Sequence, residues 1–225
     1  MAEHYKLRVY KMLRAWQKRL LDNKKIVQYD ITGIGNHEIN LSAGIYDIWL
    51  VGAGGGSALS VANNVKHYAN GGVGGVICAR VNVPTDTTVT VTIGAGGASR
   101  MSFGGSAVAD AGGQTTITGL QGVTMHAGAG TGASANLSNL SAGIQGTNSA
   151  TGQNVLSIRE NNVNTIISET GISSASSKAE QPQANTNWTE NVKAGAGGNY
   201  WWTATNPVHY NGRYGSNGIA RIKSV

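Results

Sequence analysis

One segment has a spacing that suits phosphate chemistry. Ile48-Trp49-Leu50-Val51 runs into Gly52-Ala53-Gly54-Gly55-Gly56-Ser57, an apolar strand followed by Gly-x-Gly-x-Gly. Such a turn can bring bare backbone N–H groups against a pyrophosphate, with a helix behind it. Ala58 to Ala69 is compatible with that helix. The chemistry also needs an acid for the ribose about 20 residues on, after a second strand. The first acid after the motif is Asp86, beyond Pro84 in a turn, and no strand–helix–strand alternation follows. Gly-Ala-Gly-Gly recurs at Gly94 and Gly195, so the glycines serve a wider purpose than one phosphate loop.

No other residues assemble a catalytic pattern. His4, His37, His67, His126 and His209 stand singly, without metal-ligand spacing. There is no Gly-x-Ser-x-Gly elbow and no Walker loop. The acids form no evident pair for glycoside hydrolysis. Cys78 is the sole cysteine, so no internal disulfide can form; within Val76-Ile77-Cys78-Ala79 it reads as a buried thiol. The expectation is a protein that is not an enzyme, with no catalytic residues, no metal and no cofactor.

Aromatic residues gather late in the chain, at Trp188, Tyr200, Trp201, Trp202 and Tyr210, with Tyr214 and several Asn. One reading makes them the core of a chain with a single Phe. The other makes them a binding surface, because rigid rings anchor while Asn and Ser adapt their hydrogen bonds.

These residues must be held by two unlike parts. Residues 1–25 contain eight Lys and Arg against Glu3 and Asp22, which accounts for the whole formal charge of +6. They contain no Gly or Pro and read as a basic amphipathic helix. Val9, Leu13, Trp16 and Leu20 form its apolar stripe, widened by Tyr5 and Met12. A lone helix of that length is marginal in water, so the stripe must pack on the body, on sister chains or on a partner, and docking to a partner is the expectation. The basic face suits an acidic partner, and no recognition module specifies nucleic acid. No run is long and apolar enough to span a membrane.

Residues 26–225 are neutral overall and hold all 33 glycines, beginning at Gly33. Strands are expected at 44–51, 75–83, 87–93, 114–118, 122–126 and 218–225, where β-branched residues alternate with polar ones between glycine turns. A strand at the very end implies a body that closes on itself. Glycine triplets such as Gly212, Gly215 and Gly218 suit short extended segments of polyproline II type, packed backbone against backbone. Residues 133–192 are poorer in glycine and richer in Ser, Asn, Thr and Gln, and read as a polar excursion. The fold class is mainly β: a glycine-rich, sandwich-like body with extended segments and an N-terminal helix.

The runs at Gly44–Gly56, Gly71–Val83, Val89–Gly97 and Gly104–Gly113, with the closing strand at Gly218, resemble the glycine-rich domain of bacteriophage tail-fibre and adhesin proteins. The resemblance covers about 31–132 and the final strand; the polar stretch and the basic helix depart from it. It implies a virion component at a tail fibre or tail tip, assembled in the host cytoplasm, which binds a bacterial surface glycan or protein. The helix would then dock to other virion proteins, and a homo-oligomer is compatible with that role. Trp188, Tyr200, Trp201, Trp202 and Tyr210 are the candidate receptor contacts. A head or tail decoration protein without receptor binding is the rival reading, and a hydrolase of surface polysaccharide the third.

Overall fold

A computed structural model describes residues 26–62, 65–160, 200–202, 210–212 and 214–225, together with Arg14. The amphipathic helix expected over 1–25 lies outside them, as do Val9, Leu13, Trp16, Leu20 and Trp188. From residue 26 onward the described chain holds no helix. In order, its strands are β1 Gln28–Ile31, β2 Gly35–Leu41, β3 Gly44–Val51, β4 Ala58–Ala62, β5 Val65–Ala69, β6 Val76–Val83, β7 Thr87–Ile93, β8 Arg100–Phe103 and β9 Ala107–Val108. Then follow β10 Thr115–Thr118, β11 Val123–Ala127, β12 Ser134–Ala135, β13 Leu140–Ser141, β14 Asn148–Gly152, β15 Val155–Glu160, β16 Tyr200–Trp202, β17 Tyr210–Gly212 and β18 Ile219–Ser224.

Two five-stranded sheets, ordered β1-β18-β3-β6-β15 and β14-β11-β10-β7-β2, are antiparallel throughout and share one core. The period-2 pattern explains the register. In β7, Val89, Val91 and Ile93 are buried while the threonines between them face out. Ile48, Leu50, Ile77 and Ile222 of the first sheet share the core with Val91, Ile117 and Met125 of the second. Each such side chain contributes roughly 1.5–3 kcal/mol by leaving water. The body closes as expected: β18, at the C-terminus, is inserted between β1 and β3.

Beyond the sandwich the backbone changes character. Residues 52–57 are extended but pair with no single neighbour. Gly52 and Gly55 donate to Gly75 O and Gly72 O, Ala53 and Gly56 to Gly113 O and Asp110 O, and Gly54 to Ser216 O. Ala53 O and Gly56 O accept from Gly130 and Ala133, and Gly54 O and Ser57 O from Gly97 and Arg100. The partner changes at every residue and returns every third. That is the repeat of a polyproline II-type chain, which makes no internal hydrogen bonds. Residues 70–75, 94–99, 109–114, 128–133, 142–147 and 214–218 behave alike. Together they form a bundle of rods.

Glycine is required here for close approach. A methyl group on Gly55 would come within 1.9 Å of Thr131 O, and one on Gly130 within 2.0 Å of Gly72 O. Neither glycine has a positive φ, so sterics between rods, not backbone freedom, dictate the residue.

Three stretches singled out in the sequence take these forms in the structure. Ala58–Ala69 is no helix: Ala58 pairs with Ala69 and Ala62 with Val65 in the hairpin β4–β5. The rods on either side deliver extended chain, and the alternation of Leu59 and Val61 with Ala58 and Ser60 suits a strand. The polar stretch over 133–192 begins inside the body: 133–160 supplies β12 to β15 and one rod. Residues 161–192 lie outside the described residues. The amides of 52–56 are consumed between rods, so they cannot cradle a phosphate.

Candidate binding surface at the tip of the rod bundle

The rods run out and back. Residues 52–57, 94–99 and 128–133 carry the chain away from β3, β7 and β11. Residues 70–75, 109–114, 142–147 and 214–218 return it to β6, β10, β14 and β18. Every strand between an outgoing and a returning rod therefore lies at the far end of the bundle. These strands form two small sheets, β5-β4-β8 and β13-β12-β9; the separate hairpin β16–β17 precedes the returning rod 214–218.

The two small sheets meet through alanines. Ala58 and Ala69 of one pack with Ala107 and Ala135 of the other, beside Ala109 and Ala133 of the rods. Small side chains let the sheets continue the close spacing of the rods. The opposite face of β5-β4-β8 carries large residues. Leu59 is flanked in register by Tyr68 and Met101, and Val61 by Lys66 and Phe103. Leu59 is 1% and Val61 8% exposed, whereas Tyr68, Met101 and Phe103 are 52%, 45% and 68% exposed. A buried aliphatic pair is thus framed by exposed rings, a thioether and one cation.

The turns at this end are tied down. Gly104, with φ +74°, donates to Val61 O at 2.7 Å, and Ser60 Oγ donates to Gly105 O at 2.5 Å. Asn136 Oδ1 accepts from the N–H groups of Ser138 and Asn139 at 2.9 and 2.5 Å, closing the β12–β13 turn. Arg100 Nη2 lies 2.9 Å from Asp110 Oδ2 and links β8 to a returning rod. Exposed Val108, Leu137 and Leu140 complete the apolar character of the tip. Among the described residues, no three His, Cys, Asp or Glu gather as metal ligands.

Of the aromatic candidates, Tyr200, Trp201 and Trp202 form β16 and Tyr210 lies in β17. Trp202 pairs with Tyr210, and Trp201 with Asn211. This hairpin leads through exposed Tyr214 into the rod 214–218, which places it at the same end. Sequence reasoning missed Tyr68, Met101 and Phe103. The usable signal was their position: 58–69 and 100–108 are the intervals between glycine clusters, and intervals between rods become tips.

A family model described as a glycine-rich domain matches residues 31–224. No curated protein matches the chain. Among the described residues no helix is long and apolar enough to cross a membrane.

Proposed function

This chain belongs to the glycine-rich domain family, and on that premise we propose that it is a non-enzymatic recognition module, a tail-fibre or tail-tip component of a phage virion that binds the bacterial surface. One observation carries the reading: the out-and-back rods bring several loops to one end and leave Tyr68, Met101 and Phe103 exposed there. Side chains of this kind anchor recognition surfaces, and a stiff support keeps the ordering entropy of binding low. The opposite end suits attachment. Val27 N–H donates to Ser224 Oγ at 2.8 Å, at the end of the sandwich remote from the rods. On this reading, residues 1–25, with the stripe Val9, Leu13, Trp16 and Leu20, dock to other virion proteins.

The test is cell binding by the full, fluorescently labelled chain across a panel of bacterial strains. A strain-selective signal that Tyr68→Ser with Phe103→Ser abolishes, at unchanged melting temperature, supports a recognition tip. A chain that joins particles but stains no strain would be a decoration protein. Release of reducing sugars from surface polysaccharide would make it a hydrolase.

A further inference from the structure

The stretches that build the two small tip sheets, 58–69, 100–108 and 134–141, contain Lys66 and Arg100 but no Asp or Glu. Asp30, Glu38 and Asp47 lie on strands of the sandwich, at the other end of the body. Asp110, on a returning rod, is 2.9 Å from Arg100. The tip strands therefore bring positive charge and no negative charge of their own.

Register orders the exposed side chains by depth. β4 and β8 run outward in parallel, and β5 runs back. Phe103 pairs with Val61, two residues beyond Met101 and Leu59, and Tyr68 is level with Leu59. At about 3.3 Å per residue, Phe103 leads Met101 and Tyr68 by about 7 Å. In the second small sheet Leu137 sits in the turn between β12 and β13, where that sheet reverses. Phe103 is 68% and Leu137 46% exposed. Lys66 is level with Phe103, and its long stem lets the ammonium reach back toward water.

The polar groups of these two turns are used internally. Gly104 N–H donates to Val61 O at 2.7 Å, and Ser60 Oγ to Gly105 O at 2.5 Å. Asn136 N–H donates to Asn139 O at 2.9 Å, while Asn136 Oδ1 accepts from Ser138 and Asn139. Backbone that enters a layer poor in water must have its polar groups satisfied within the protein.

On the premise of the recognition tip argued above, we propose that its partner is the anionic lipid surface of a bacterial membrane. Phe103 and Leu137 seat at the boundary of headgroups and acyl chains, and Tyr68 lies at headgroup level. Such anchoring joins apolar side chains to attraction for anionic lipid, which carboxylates would oppose. Tyrosine suits the interface because its ring is apolar and its hydroxyl is wet. A protein partner is met by an apolar centre inside a polar rim; here apolar side chains lead.

The experiment floats the full chain with vesicles of phosphatidylcholine alone and with vesicles that also contain phosphatidylglycerol. The expected result is flotation with the anionic vesicles, weaker at high salt. Phe103→Ser with Leu137→Ser should weaken it about tenfold or more at unchanged melting temperature. Lys66→Glu should weaken it about fivefold, and Phe103→Trp should retain it. Leu156→Ser, at an exposed apolar residue of β15, should change nothing. Absence of flotation with either vesicle would overturn the proposal. So would flotation that survives the double variant, because another part of the chain would then hold the lipid, or an equal loss in Leu156→Ser. Strain-selective cell staining without flotation would keep the recognition tip and give it a protein or glycan in place of lipid. Flotation without strain preference would keep the lipid partner and remove the strain-selective reading.

Discussion

The carbonyl oxygen of Gly54 lies so close to the α-carbon of Gly215 that a methyl group there would come within 1.9 Å of it. Gly54 also donates to the neighbouring Ser216 O at 2.9 Å, so the two rods are fixed in register as well as in spacing. The obstacle is backbone, which cannot swing aside as a side chain would.

Gly215→Ala should therefore destabilise the body by roughly 1–3 kcal/mol or more through overpacking. Gly44→Ala is the counterpart. A methyl there meets ordinary contacts at 3.7 and 4.0 Å. It should be neutral, or stabilise by about 0.4–1 kcal/mol by restricting the unfolded chain. Urea denaturation of the two variants measures the contrast. Equal effects would mean that the rods can part at little cost.

Leu59 and Tyr68 sit side by side in register and should separate stability from recognition. Leu59 is fully buried, and Leu59→Ala should cost about 2–5 kcal/mol. Tyr68→Ala removes a ring that is half in water and should cost far less, while weakening cell binding if the tip is the contact. Melting curves and cell staining of the two variants give the comparison.

Asp30 gives a pH dependence of known sign. Its hydrogen bond with the Arg221 side chain holds its carboxyl below the usual range, assisted by Gln28 and opposed by burial. A depressed folded pKa stabilises above the unfolded value of about 3.9, and that contribution fades as pH falls through the folded value. Asp30 is half-exposed, so the contribution is at most about 1 kcal/mol. Asp30→Asn should be less stable than wild type at neutral pH and equal to it in strong acid. Denaturation at several pH values reads the difference; a gap that widens in acid would contradict the sign.

Residues 26–225 should fold without residues 1–25. β1, the edge strand of the first sheet, is paired along its length with β18, and Val27 is tied to Ser224 through Val27 N–H to Ser224 Oγ and Ser224 N–H to Val27 O, both at 2.8 Å. A chain beginning at Val27 should melt cooperatively and show the circular dichroism of strands. Loss of the transition would mean that the N-terminal segment belongs to the core.

The sequence by itself determined what depends on neighbouring residues. Alternating Thr and Val in 87–93, the apolar runs at 44–51 and 75–83, and the closing strand at 218–225 all carry their period locally, and all are strands. Clustered glycines announced extended chain packed backbone to backbone, and the late aromatic cluster drew attention to Tyr200, Trp201, Trp202 and Tyr210. Tertiary structure decided which rods are neighbours, because a polyproline II-type chain makes its hydrogen bonds to other segments and glycine carries no side chain to specify them. It also decided the tip. Tyr68, Met101 and Phe103 lie on strands distant in sequence, and they share a face because β4 is paired on one side with β5 and on the other with β8. A two-residue period says that Leu59 and Val61 point the same way; the sheet order determines which exposed side chains frame them.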